Sequence, residues 1–184
     1  RACEKLLTGL FKKHKGRLFN TGGDSFLAEF SSAVSAVECA VEFQNAIKQR
    51  NSTEEATVKL EFRIGINSGD VIKEKDNLLG DGVNIAARLE ALAQASGITI
   101  SKSVYDYVKG KTKFEFNDLG IQKVKQNEFH AFDLILSPDQ KRKITKKSNG
   151  YIGYIIVALA LLLVGTGLFI YETQKVSKQI PIIA

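Results

Sequence analysis

The stretch GDGVNIAARLEAL, from Gly80 to Leu92, joins a glycine-rich start to a helical pattern. It predicts a helix over Gly80–Ala95, in which Asn84 and Arg88 are four residues apart and project from one face. A neutral hydrogen-bonding group beside a fixed cation suits orienting a ribose and neutralising charge that builds on a phosphate. The ordinary alternative is a surface arginine that follows a helix N-terminal asparagine.

A second stretch, NTGGDSFLAEF from Asn20 to Phe30, places Asp24 between two apolar runs. RLFN and SFLAEF predict two strands joined by a hairpin turn. Most such turns are only turns, because glycine supplies positive φ and aspartate bonds its own backbone. A carboxylate at a hairpin tip also suits Mg²⁺, which takes oxygen ligands and shares them with phosphate. The hairpin alone leaves both interpretations open.

The chain around these motifs alternates helix and strand patterns. Helices are predicted over Ala2–His14, after a cap at Ser31 or Ser32, and over Lys102–Lys109. Further strands are predicted at VKLEFRIGIN, DVIKE, GITIS, KFEFNDLG and FHAFDLI. This order predicts an α+β sandwich with helices on one face of a mostly antiparallel sheet.

The C-terminal part differs in composition. The run from Tyr151 to Tyr171 carries no charge and is long enough to cross a hydrocarbon core of about 30 Å. A buried core helix is the weaker alternative, because such a helix rarely lacks a polar face for so long. We therefore predict a domain over residues 1–136, a basic linker over 137–150, a single transmembrane helix over 151–171 and a tail over 172–184.

The net charge of +6 is concentrated in Lys141, Arg142, Lys143, Lys146 and Lys147, just before the apolar run. This placement favours a membrane flank. A nucleic-acid partner is not expected, because no platform interleaves aromatic and basic residues. The positive-inside rule then places the first domain in the cytoplasm, on a protein of the inner (cytoplasmic) membrane. The cysteines are predicted to be reduced and to act as small apolar residues.

The helix motif resembles the pattern G-D-x-V-N-x-A-x-R of class III adenylate/guanylate cyclases, and it matches in full. GGDSF alone also resembles the hairpin of diguanylate cyclases, which have no such helix. FRIGINSGDVI, ASGITISKSVYDYV and FEFNDLGIQKVKQNEFHAFDLI are similar to further class III segments, so the resemblance covers nearly all of residues 1–136. It is nearest to bacterial, membrane-anchored members and implies a ferredoxin-like βαββαβ-type sandwich.

The resemblance also implies roles for single residues. Asp24 matches a metal-binding aspartate, which implies two Mg²⁺ or Mn²⁺ ions. Asn84 would orient the ribose of a nucleoside triphosphate, and Arg88 would stabilise charge on its α-phosphoryl oxygens. Lys125 matches a lysine that contacts the triphosphate, with a solvated lysine as the alternative. The resemblance further implies a homodimer with shared active sites that forms a 3′,5′-cyclic nucleotide and pyrophosphate in intracellular signalling.

Three departures from the family pattern bear on activity. The family's first strand, with its first metal aspartate, would lie upstream of Ala2, so the chain is expected to be N-terminally truncated and inactive by itself. Asn20 and Asn77 occupy base-binding positions where adenylate and guanylate cyclases usually carry other residues. An asparagine donates or accepts, so the choice between ATP and GTP stays open. The alternative function is a degenerate domain that binds nucleotide or dimerises without turnover.

Overall fold

The structure is a computed structural model. It describes residues 2–22, 25–53, 58–74, 77–124 and 127–142, together with 157, 159, 162–163 and 165–167. The chain forms two compact units, Arg1–Lys143 and Ile144–Ala184. The first unit carries both sequence motifs.

The first unit alternates helices and short strands. Its helices are α1 (Ala2–Lys13), α2 (Ala33–Asn51), α3 (Asp81–Leu92) and α4 (Lys102–Val108). Its strands are β1 (Gly16–Gly22), β2 (Ser25–Phe30), β3 (Ile64–Ile66), β4 (Ile72–Glu74), β5 (Asn77–Leu79), β6 (Ile98–Ser101), β7 (Glu115–Val124) and β8 (Asn127–Ile135). The predicted α+β order is confirmed.

The described strands form three sheets. A four-stranded sheet has the order β3-β6-β8-β7, in which β3 is parallel to β6 and the other pairs are antiparallel. The β1–β2 and β4–β5 hairpins are antiparallel two-stranded sheets of their own. Within the described residues, the β1–β2 hairpin therefore shares no strand pairing with β3.

Helix α2 packs against both the four-stranded sheet and the β1–β2 hairpin. Its N-cap Ser32 accepts a hydrogen bond from the Ser35 amide, as the sequence predicted. Val37 and Ala40 belong to a core with residues of β6 and β8. The neighbouring face of α2 packs against α1 and the hairpin, and its buried residues there are Cys39, Phe43 and Ile47. One helix thus joins the hairpin to the sheet through apolar contacts.

The predicted strand VKLEFRIGIN is wrong over most of its length, because only Ile64–Ile66 pairs with another strand. The backbone before it bonds to side chains of α2 instead. The Asn51 side chain exchanges two hydrogen bonds with Leu60, at 2.7 and 3.0 Å. Gln44 Nε2 donates to the Phe62 carbonyl at 2.8 Å. These bonds satisfy backbone groups that would otherwise form hydrogen bonds with a neighbouring strand.

The second unit is described only in part. Val157, Leu159, Leu162, Leu163 and residues 165–167 are helical, and their large apolar side chains are exposed. In the part of the chain that the structure describes, no helix is long and apolar enough to span a membrane. Most of the predicted transmembrane segment, residues 151–171, lies outside the described residues, so that assignment stays a prediction.

Candidate active site

Helix α3 carries the predicted catalytic pair. Gly80 caps its start with φ 125°, a conformation that favours glycine, and no side chain caps the first turn. Leu89 is fully buried against residues of β7 and β8. The helix ends at Leu92 rather than at the predicted Ala95, because Ala93 has an extended backbone. The position of Leu89 fixes which face of α3 meets the sheet.

Asn84 and Arg88 lie on the same side of α3, as their spacing predicts. The Asn84 side chain is exposed, whereas Arg88 is half-buried. Arg88 Nη1 is buried, and no acceptor among the described residues bonds to it. A buried guanidinium nitrogen without an acceptor is costly. An acceptor for Arg88 Nη1 therefore has to come from outside the described residues.

The strands that carry the predicted base-binding residues contact each other. Asn20 lies on β1 and Asn77 on β5, and these two strands are in contact. β1 also has a register shift between Leu18 and Asn20. The structure thus brings the two backbone positions to one region, while their side chains lie outside the description.

The remaining predicted site residues are not described. Asp24 follows β1 at the hairpin, where Gly22 and Ser25 are paired across the strands. Lys125 falls between β7 and β8. Both assignments stay predictions. The described residues contain no group of three or more histidine, cysteine, aspartate or glutamate side chains that could hold a metal ion.

A cavity of about 700 Å³ lies beside the first turn of α3. Its lining includes Asp70 and Asp81 together with Lys102 and His130. Lys102 also pairs with Asp106, at 2.5 Å. Neither Asn84 nor Arg88 lines this cavity. Gly82 and Ile85 of the same helix do line it, so the cavity adjoins the turn that carries Asn84.

Carboxylate partners for histidine, which the sequence did not reveal, lie elsewhere in the fold. His14 Nε2 is 2.8 Å from Glu42, and Lys13 Nζ is 2.6 Å from the same carboxylate. Hydrogen bonds from Lys13 and then His14 lower the pKa of Glu42. These residues join the end of α1 to α2 and have no part in the α3 site.

Comparison with known proteins identifies the family. The profile of the adenylate and guanylate cyclase catalytic domain matches residues 4–144. This range contains α3, both hairpins and the four-stranded sheet. The chain therefore belongs to the adenylate and guanylate cyclase catalytic domain family.

Individual relatives agree with this assignment. A Rhizobium meliloti (strain 1021) protein named "Putative adenylate cyclase 3" is 43% identical over 125 residues, which are 68% of this chain and 21% of that protein. The chain thus spans about a fifth of that relative's length. An adenylate/guanylate cyclase/hydrolase from Silicibacter pomeroyi has a similar structure, with TM-score 0.67 and 34% identity over 72% of this chain and 79% of the other.

A guanylate cyclase domain from Catenaria anguillulae, solved in complex with GTP, is similar at TM-score 0.60 and 26% identity. The match covers 73% of this chain and 80% of that one. The mixed α+β fold predicted from the sequence therefore matches the fold of these cyclase structures, whereas the missing first strand and the transmembrane helix stay predictions.

Proposed function

We propose that this domain is a nucleotide cyclase that converts ATP or GTP into a 3′,5′-cyclic nucleotide and pyrophosphate in intracellular signalling. The single observation that carries the proposal is the buried Nη1 of Arg88, which has no acceptor among the described residues and lies one turn from the exposed Asn84. An arginine in that state suits the oxygens of a phosphoryl group. Membership of the cyclase family supplies the reaction class.

The proposed reaction is an intramolecular displacement. The ribose 3′-hydroxyl oxygen forms a bond to the α-phosphorus, the bond from that phosphorus to the pyrophosphate oxygen breaks, and the hydroxyl proton passes to solvent. Asn84 holds the ribose so that the hydroxyl meets the phosphorus in line. Arg88 stabilises the charge that grows on the α-phosphoryl oxygens. Lys125 contacts the triphosphate.

The assembly proposed for the reaction is a homodimer. By resemblance to the family, each active site combines the metal-binding residues of one protomer with Asn84 and Arg88 of the other. The exposure of Asn84 supports this arrangement, since a second protomer and a nucleotide need access to that face. Large apolar side chains are also exposed beside α3, at Ile72 and Leu79 of the β4–β5 hairpin, as expected for a surface that a partner covers.

The proposed cofactors are two Mg²⁺ or Mn²⁺ ions, which when bound neutralise phosphate charge and activate the hydroxyl. Asp24 is the residue of this chain proposed to help hold them. The described residues alone do not form a donor set for these ions.

The proposed base pocket includes Asn20 and Asn77. The contact between β1 and β5 supports a shared pocket. Neither residue selects a base by charge. The lack of charge at these two positions also favours the second candidate function, a degenerate cyclase domain that binds nucleotide or dimerises without turnover.

The proposed location is the inner membrane, crossed once by residues 151–171, with the cyclase domain in the cytoplasm. The uncharged run and the preceding lysines support this. Nucleoside triphosphates are also in that compartment.

Product analysis tests the proposed function. The full-length protein that contains this domain is purified and incubated with ATP or GTP and with Mg²⁺ or Mn²⁺, and cyclic nucleotide and pyrophosphate are measured together. The cyclase proposal expects both products in equal amounts. Nucleotide binding by calorimetry without either product would establish the degenerate domain instead. The absence of nucleotide binding, of product and of a dimer in solution would contradict both.

A further inference from the structure

Helix α3 rests directly on the backbone of β3. A Cβ atom added to Gly65 would lie 2.2 Å from both the Ala86 carbonyl oxygen and the Glu90 amide nitrogen. Any other residue at this position would therefore push the helix away from the strand. Ala86 and Glu90 flank Arg88 in the helix. This contact therefore fixes the distance between the sheet and the turn of α3 that carries Arg88.

Asn67 makes a second contact between this strand region and α3. It lies two residues after Gly65 and hence on the same side of the extended chain. Its Nδ2 donates to the Gly82 carbonyl oxygen at 3.1 Å. Only the amide NH₂ can face a carbonyl, so the orientation of the Asn67 side chain is fixed. In an α-helix, the Gly82 carbonyl also accepts from the Ala86 amide.

The loop after Asn67 encloses the same helical turn. A Cβ atom added to Gly82 would lie 3.0 Å from the Asp70 carbonyl oxygen and 3.3 Å from Val71 Cγ1. The first turn has no side-chain cap of its own, so its position depends on these neighbours. Among them, Asn67 supplies a directed hydrogen bond from a half-buried side chain.

We propose that Asn67 is a positioning residue for the cyclase reaction: through Gly82, it holds the first turn of α3 so that Asn84 and Arg88 stay aligned. The inference rests on the proposed function. Its physical reason is that Asn84 lies two residues beyond Gly82, so a shift of this turn moves the Asn84 side chain directly. Small misplacements of groups that orient a substrate reduce the rate strongly.

The experiment compares Asn67→Asp, Asn67→Ala and Asn67→His in the purified full-length protein that contains this domain. Aspartate keeps the shape but presents an acceptor to the Gly82 carbonyl, alanine removes the donor without adding charge, and the histidine ring keeps an N–H donor. Ser68→Ala is the matched control, because Ser68 is the exposed neighbour. Cyclase kinetics, thermal unfolding and amide hydrogen exchange are measured for each variant.

We expect Asn67→Asp to lower kcat by about tenfold, with KM changed much less and the unfolding temperature nearly unchanged. Asn67→Ala should lower kcat by about fivefold, as expected for the loss of one hydrogen bond, and Asn67→His should recover most of it. Hydrogen exchange should become faster at Asn84 and Ala86 but stay unchanged in α2. Ser68→Ala should leave kcat unchanged.

Hydrogen exchange separates this inference from the proposed function, because it needs no turnover. If the wild-type protein forms no cyclic nucleotide, the cyclase proposal fails, and faster exchange confined to α3 still supports the positioning role of Asn67. Unchanged exchange in α3 would overturn that role, whatever the activity. So would faster exchange spread equally over α2 and α3, or an active Asn67→Asp variant with wild-type kcat.

Discussion

Arg142 forms a bidentate ion pair with the buried carboxylate of Asp133, with Nε and Nη2 each 2.6 Å from a carboxylate oxygen. Thr99 Oγ1 donates to the same carboxylate at 2.7 Å, and Asn117 Nδ2 donates to the Arg142 carbonyl at 3.2 Å. The chain after β8 is thus bound to the sheet. Arg142, which the sequence placed in the basic cluster before the apolar run, instead pairs within the domain.

Replacing Asp133 with asparagine tests this anchor. We expect Asp133→Asn to reduce the free energy of unfolding by about 2 kcal/mol, because it leaves a partly buried guanidinium without its counter-charge. Urea denaturation measures the loss. Asp106→Asn is the control, since among the described residues Asp106 pairs with the exposed Lys102 and Lys109 alone, and surface ion pairs contribute little. Equal small losses in both variants would refute the anchoring role of Asp133.

The buried thiol of Cys39 should resist alkylation. Burial, followed by the nearby charge of Glu42, raises the pKa of Cys39 from 9.0 to about 11, although Lys13 opposes the rise. The thiolate is the reactive form, so iodoacetamide at pH 8 should modify native Cys39 slowly and unfolded Cys39 quickly. A Cys3→Ser background leaves Cys39 as the sole thiol. Rapid modification of the native protein would contradict the assignment.

The same pKa shift predicts how stability depends on pH. The folded thiol keeps its proton to about pH 11, whereas the unfolded thiol ionises near pH 9.0. The contribution of Cys39 is therefore fully present below pH 9 and is lost as the pH rises toward 11. A Cys39→Ala variant should show a smaller decline in the free energy of unfolding over this range than the parent. Identical declines would exclude a contribution from Cys39.

Part of the fold and of the site could be predicted from local sequence patterns. The spacing of Asn84 and Arg88 predicts their common face because helix periodicity is local. The hairpin at Asp24 follows from its turn residues in the same way. The truncated strand at Ile64–Ile66 did not follow, because the partners of the preceding backbone are side chains of α2 that are distant in sequence.

Other features depend on tertiary contacts that no periodicity encodes. The bond from Asn67 to Gly82 joins residues on different elements, and the pair of Asp133 and Arg142 forms only once the chain turns back after β8. The sequence did contain a signal for the contact between Asn67 and Gly82. The glycines at positions 65 and 82 mark places where backbones approach closely. Arg142 carried no comparable signal within the basic cluster.

Substitutions in the proposed base pocket should change nucleotide preference. The wild-type protein is expected to discriminate poorly between ATP and GTP, with a slight preference for ATP by family resemblance. The double variant Asn20→Lys and Asn77→Asp should raise the ratio of kcat/KM for ATP to that for GTP, because charged groups then face the base. Asn45→Lys, on the exposed face of α2, is the control. An unchanged ratio in the double variant would refute the assignment of both positions.

The proposed membrane topology is testable with reporter fusions. With Arg142 paired inside the domain, Lys141, Lys143, Lys146 and Lys147 still outnumber Lys175 and Lys178 across the apolar run. The positive-inside rule then predicts that alkaline phosphatase fused after Ala184 is active and that a fusion after Ser137 is inactive. The opposite pattern would reverse the orientation, and inactivity of both fusions would contradict a single crossing.

Cyclic-nucleotide formation by mixed variants tests the shared active site most directly. Asp24→Ala and Arg88→Ala proteins are assayed alone, then after co-expression, with Arg50→Ala as the arginine control remote from α3. The account predicts that each variant alone is inactive and that Arg50→Ala has wild-type activity. Co-expression should restore about one quarter of wild-type activity, since half of the dimers combine the variants and each such dimer has one intact site. Wild-type turnover by Arg88→Ala alone, or no recovery from mixed dimers that do form, would contradict the account.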